Sequence, residues 1–249
     1  MILDDIIQKT ALRSPEPAPR GMTNNCPLSL KEAITSVQGR HAVIAEIKFS
    51  SPSRGMIRER TNPGKIAEEY RKGGCVALSV LTEPDFFGGR AEDIAAVKDA
   101  VSLPVLRKDF IIDMCQIEET KALGADAVLL IAGLLEERLC DFVSAAYAAG
   151  LEPLVEVHTP DEVTMALASG AEIIGINNRD LRTMQVMPET TAALAGSIRD
   201  AGRLVVSMSG IGGQEDIRRL SSHADAFLVG TALMSAEDPR TVLEEFVCA

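Results

Sequence analysis

Six polar or charged residues stand within, or close the ends of, apolar and β-branched runs of this chain. They are Glu46 and Lys48 in VIAEIKF (43–49), Lys108 in PVLRKD (104–109), Glu156 in PLVEV (153–157), Asn177 at the end of EIIGIN (172–177) and Ser209 at the end of LVVSMS (204–209). A charge inside an apolar run is costly unless it is paired. Two lysines and two glutamates gathered at one place would compensate one another and supply both an acid and a base for proton transfer. Glu46 and Lys48 are two residues apart, so in a strand they share a face. A single such residue is often a solvent-facing strand end or half of a structural ion pair. Their recurrence at several strand ends is what points to a site. Two glycine-rich turns add a second kind of chemistry: Ser209-Gly210-Ile211-Gly212-Gly213 and Gly230-Thr231. Glycines let backbone N–H groups approach an anion, and a following helix N-terminus adds positive potential. Ser51 in Ser51-Pro52-Ser53-Arg54-Gly55 offers a further hydroxyl. The combination implies acid–base work on a small phosphorylated ligand.

These residues need elements to hold them. The remaining apolar runs are VALSVL (76–81), AVLLI (127–131) and AFLVG (226–230), which makes eight candidate strands. Most are near-continuous apolar stretches, as expected of parallel strands covered on both faces. Helix signals lie between them. Asn62-Pro63 and Thr159-Pro160-Asp161-Glu162 each offer a cap followed by proline, and Gly73, Gly150 and Gly170 offer stops. Repeated β-then-α units predict an α/β fold, a (β/α)8 TIM barrel, with active residues at the carboxyl ends of the strands. A doubly wound sheet should carry GxGxxG after its first strand, and none is present. The reading is a single domain over 1–249, with a helical extension over 1–40 and the barrel over 41–249. The extension begins with an amphipathic helix in MILDDIIQKTALR, and Ser14–Pro27 reads as a surface connection.

Composition narrows the partners. The 249 residues carry a formal net charge of -11, which disfavours nucleic acid but not a local phosphate site. No apolar run is long enough to span a membrane. Five cysteines occur singly and without a CxxC pair, which suits a reducing, cytoplasmic setting. His41, His158 and His223 are far apart and form no metal motif; His158 and His223 read as surface residues, and no metal is expected. No exposed apolar stripe stands out, so a monomer is expected. Phe86-Phe87 in EPDFFGG is either core under a loop or an apolar flap over a substrate ring.

The blocks AEIKFSSPSRG (45–55), LSVLTEPDFFGG (78–89), PVLRKDFIID (104–113), LVEVH (154–158), IIGINNRDL (173–181) and SGI (209–211) resemble, in order, those of indole-3-glycerol phosphate synthases. RKDFIID and INNRDL are the more specific of them. The resemblance implies conversion of 1-(2-carboxyphenylamino)-1-deoxyribulose 5-phosphate to indole-3-glycerol phosphate, with release of carbon dioxide and water and no cofactor. It implies Lys108 as general acid, Lys48 as a ligand of the substrate carboxylate and phosphate region with a part in proton transfer, and Glu156 assisted by Glu46 in the dehydration. Asn177 and Ser209 would belong to the catalytic set, Asn177 and Arg179 would position the substrate or hold the charged network, and Ser51, Gly210, Gly230 and Thr231 would hold the phosphate. Phe87, Phe110 and Leu130 would pack on the aromatic ring. The family reads Ser-Glu-Ser-Gly-Ile after the seventh strand, whereas this chain reads Ser207-Met208-Ser209-Gly210-Ile211. Loss of that carboxylate predicts a lowered activity. Two alternatives stand beside this reading: another phosphosugar enzyme on the same barrel, and a weakened barrel that only binds a phosphorylated ligand.

Overall fold

The computed structural model describes residues 2–13, 27–181 and 183–249. Strand β1 (Ala42–Ile47) is followed by a short antiparallel hairpin, β2 (Ser50–Ser51) and β3 (Gly55–Met56). Then come β4 (Ala77–Leu81), β5 (Val105–Lys108), β6 (Ala127–Ile131), β7 (Glu152–Val157), β8 (Ile173–Asn177), β9 (Leu204–Met208) and β10 (Ala226–Val229). The hairpin apart, the strands run parallel, each beside the next, and β10 pairs back onto β1 to close a barrel. The closed parallel barrel with helices outside is the TIM-barrel architecture read from the sequence.

The strand period of two builds two cores from one set of runs. Val43, Ala45 and Ile47 pack outward against the helices, while Ala42 and Ile44 fill the lumen. Glu46 continues the inward row, so a polar residue near a strand's carboxyl end emerges at the mouth.

The outer helices are α3 (Pro63–Lys72), α4 (Pro84–Phe87), α5 (Glu92–Ala100), α6 (Cys115–Ala122), α7 (Ala132–Leu135), α8 (Leu139–Ala149), α9 (Pro160–Ala168), α10 (Glu189–Asp200), α11 (Gln214–Leu220), α12 (Thr231–Ser235) and α13 (Pro239–Val247). The expected starts are in place. Asn62 accepts from the N–H of Gly64 and Thr159 from that of Glu162, each with proline in the first turn. Gly150 ends α8 in the left-handed region at φ 82°.

The extension closes both ends of the barrel. Helix α2 (Leu30–Thr35) inserts Leu30 and Ile34 into the lumen core from below, and its cap Ser29 donates to Glu152 at 2.6 Å. Helix α1 (Ile2–Leu12) lies over the opposite end, where Ile6 joins the same lumen core. The connection read at Ser14–Pro27 lies, apart from Pro27, outside the described residues.

Candidate active site

The mouth at the carboxyl ends of the strands holds a cavity of about 480 Å³. Its wall brings together Glu46, Lys48, Lys108, Glu156, Asn177 and Ser209 from five different strands or strand ends. Lys48 Nζ lies 2.6 Å from Glu46 Oε1, a tight pair on one strand face. Lys108 Nζ sits between two carboxylates, 3.9 Å from Glu46 Oε2 and 4.0 Å from Glu156 Oε2. Asn177 donates to Glu156 Oε1 at 2.8 Å and uses its own oxygen to accept from the N–H of Arg179 at 3.0 Å. One lysine is therefore anchored, and the other is held in a field of negative charge with its protons free to reach a ligand. That is an arrangement for donating a proton, with two carboxylates ready to take one up.

Burial raises the pKa of Glu46, but the charges of Lys48 and Lys108 and the hydrogen bond from Lys48 outweigh it, so the carboxyl titrates below its usual 4.5. The consequence for stability has a definite sign. A depressed carboxylate contributes stability that is complete above the unfolded value and is lost as pH falls through the lower folded value. Glu46→Gln should thus lower the melting temperature near pH 7 and change it far less near pH 3. Thermal melts across that range test this; an equal loss at both ends would show that the ion pairs contribute nothing.

The residues expected to hold a phosphate line the same cavity. Ser51, Gly210, Gly230 and Thr231 all line the cavity, and α12 starts directly after Gly230. Ser209 and Gly210 occupy the left-handed region at φ 66° and 75°. For serine that conformation costs about 1 kcal/mol or more, and such strain gathers where backbone must face a ligand. Asn178 holds the turn by donating to the carbonyl of Ser209 at 3.0 Å. Gly230 has a second duty. A Cβ there would fall 2.2 Å from Glu46 Oε1, so only glycine lets the carboxylate lie across β10. Gly230→Ala should displace Glu46 and lower kcat by about fivefold, measured beside a melting curve that shows the chain still folds.

Across the whole barrel, a family model described as indole-3-glycerol phosphate synthase matches residues 12–246. The chain belongs to the indole-3-glycerol phosphate synthase family. A synthase from Carboxydothermus hydrogenoformans is 47% identical over 227 residues, covering 90% of this chain and 86% of that protein. One from Aquifex aeolicus is 46% identical over 220 residues, covering 87% and 84%. Among solved structures, a tryptophan synthase chain from M. tuberculosis matches with a TM-score of 0.63 at 14% identity over 87% of this chain and 96% of its own. A thiamine phosphate pyrophosphorylase from Pyrococcus furiosus matches at 0.59 and 17%, over 88% and 96%. At those identities the two structures speak for the barrel alone. Family membership makes this indole-3-glycerol phosphate synthase relative a carbon–carbon lyase.

One expected wall residue is elsewhere. Leu130 points outward into the core beneath the helices, and its neighbours Leu129 and Ile131 line the cavity instead. Strand β6 is apolar on both faces, so alternation gave no clue to its phase, and a one-residue slip reverses the face. Phe87 and Phe110 do line the cavity, their ring centroids 6.2 Å apart, while Phe86 lies under the Lys9 ammonium. His158 stands behind the wall, half-buried, with Nδ1 2.7 Å from the carbonyl of Asn177. Two contributors were not read from sequence. Arg54, on the hairpin, shares the cavity with Arg179, whose pKa is lowered by burial and by the Arg54 charge. Helix α1 supplies Ile2, Leu3 and Ile6 as a roof. No helix among the described residues is long and apolar enough to cross a membrane.

Proposed function

We propose that this mouth closes the indole ring of 1-(2-carboxyphenylamino)-1-deoxyribulose 5-phosphate, with Lys108 as the general acid. The observation that carries the reading is the placement of Lys108 Nζ between Glu46 and Glu156, at the end of a strand opening into a cavity with both charged and apolar lining. As the ring carbon bearing the carboxylate attacks the ribulose carbonyl, negative charge grows on the carbonyl oxygen. The Lys108 ammonium stabilises that charge and delivers a proton. Departure of carbon dioxide returns its bonding electrons to the ring and restores aromaticity. Loss of water then needs an acid at the departing hydroxyl and a base for the proton released in forming the indole double bond. Glu156, oriented by Asn177, takes that proton, and Glu46 with Lys48 returns the site to its starting protonation.

The two ends of the substrate fit the two ends of the cavity. Phe87, Phe110, Leu129 and Ile131 form an apolar wall for the aromatic ring. Ser51, Ser209, Gly210, Gly230 and Thr231 bind the phosphate, while Lys48 and Arg179 bind the substrate's charged groups. No cofactor enters these steps. The same reading takes the whole chain as one catalytic domain working as a monomer, and its singly spaced cysteines support a cytoplasmic setting. Indole-3-glycerol phosphate fluorescence, followed with purified chain and substrate, tests the proposal. Product should accumulate until substrate is consumed; its absence at high enzyme concentration would refute the reaction.

A further inference from the structure

A buried carboxylate next to the general acid has no part in the steps above. Asp109 follows Lys108 and is 2% exposed. It accepts from Thr82 Oγ1 at 2.7 Å, from its neighbour's amide, that of Phe110, at 2.8 Å, and from Arg107 at 3.2 Å. Arg107 is itself buried behind β5, where it pairs with Glu119 at 2.7 Å. The remaining partner comes from far along the chain. Arg13, directly after α1, sends two N–H groups to the two oxygens of Asp109 at 3.3 and 3.2 Å. The same helix is tied down at Lys9, which lies 3.2 Å from Asp85 and 4.9 Å above the Phe86 ring.

We propose that Arg13 and Asp109 are positioning residues for ring closure: their pairing latches the roof helix over the cavity and couples its seating to Lys108. The inference rests on the reaction proposed above. Its first support is redundancy. Without Arg13, Asp109 keeps Arg107, Thr82 and the Phe110 amide, so the carboxylate stays compensated and β5 stays formed. What Arg13 adds is attachment of α1. Its second support is geometry. The roof residues Ile2, Leu3 and Ile6 and the side chain of Lys108 face one cavity, while Asp109 touches both the roof's tether and the backbone that carries Lys108. Its third support is an imperfection: Arg13 Nε is buried with no hydrogen-bond partner among the described residues. Orphan donors of this kind are uncommon and ask for a reason beyond local packing. A seated roof excludes water, and in the drier site the ammonium acts more strongly on the developing oxyanion.

The test combines hydrogen–deuterium exchange of the α1 amides, without ligand, with steady-state kinetics. It uses the full chain and its Arg13→Ala, Arg13→Lys, Asp109→Asn and doubly substituted Arg13→Ala/Asp109→Asn variants. In Arg13→Ala, α1 should exchange about tenfold faster while the rest of the barrel is unchanged, because only local opening is affected. In the same variant kcat should fall about fivefold and KM rise about threefold, a split that loss of fold would not produce. Arg13→Lys should recover about half of kcat, since lysine restores the charge but not the two-pronged contact. The Arg13→Ala/Asp109→Asn chain should be no slower than Asp109→Asn alone, as expected of two residues acting through one contact. Unchanged exchange in Arg13→Ala would overturn the latch, and faster exchange with kcat and KM intact would overturn the positioning role. A parent chain without turnover would refute the reaction instead, and the exchange comparison separates that result from a missing latch.

Discussion

Lys108→Ala is expected to lower kcat by about a thousandfold, with KM changed by no more than about threefold. General acid catalysis supplies roughly 10²–10⁴-fold, and stabilisation of a developing oxyanion adds to it. The two lysines of the site are not equivalent, and the distances favour Lys108 as the proposed acid. Lys48 is held at 2.6 Å by Glu46, so its charge is largely spent on that partner. Lys108 stands about as far from each carboxylate, 3.9 and 4.0 Å, and is committed to neither. Its removal leaves Glu46 paired with Lys48, while Glu156 gives up its ion pair and keeps the hydrogen bond from Asn177 at 2.8 Å. The variant should therefore fold and bind substrate yet fail in the step that needs a proton. Lys108→Arg should be nearly as slow, because a guanidinium keeps the charge but releases its proton too reluctantly. Single-turnover measurements decide the matter. A Lys108→Ala chain that retained more than a tenth of parent kcat would move the acid role to Lys48.

The barrel and its chemical residues were legible because both obey the same period. Inward positions on β1 put Glu46 and then Lys48 toward the mouth, and polar residues closing other apolar runs had to emerge beside them. Strand-end chemistry is thus written in the alternation of each run. Leu130 shows where that signal fails: AVLLI carries no polar residue to mark its inward face, so the phase of β6 had to come from its pairing with β5 and β7. The helix over Ile2–Leu12 was read, but its docking as a roof through Arg13 was illegible for another reason. An arginine after an amphipathic helix is an ordinary surface pattern, and its partner Asp109 is 96 residues away. Long-range pairings between unlike elements leave no local trace. Helix α2 is intermediate, since Leu30 and Ile34 have helical spacing, but nothing local says that they plug the barrel floor.

Met208→Glu is expected to raise kcat by about tenfold and to lower the melting temperature by a few degrees. The resemblance places a carboxylate at this position in the family, and the structure shows what methionine does there. Met208 is 1% exposed and pairs in register with Asn177. Its methyl fills the space above Gly175, 2.7 Å from where a Cβ on that glycine would lie. Gly175 is in turn the register neighbour of Glu156. Methionine thus lines the floor beside the proposed base with apolar surface, which packs well and carries no proton. A carboxylate in its place would stand near Glu156, and two such groups cannot both ionise freely. One would keep its proton and could deliver it to the departing hydroxyl, while the other accepts. Turnover should then fall as pH rises through the raised value, so the alkaline limb of the rate profile should move to lower pH even as the peak grows. The stability loss follows from the same step, since a well-packed side chain is exchanged for a buried acid compensated only in part. Rates across pH on both chains decide it. A Met208→Glu chain with the parent's kcat would mean that Lys108, Glu46 and Glu156 already carry every proton the reaction moves.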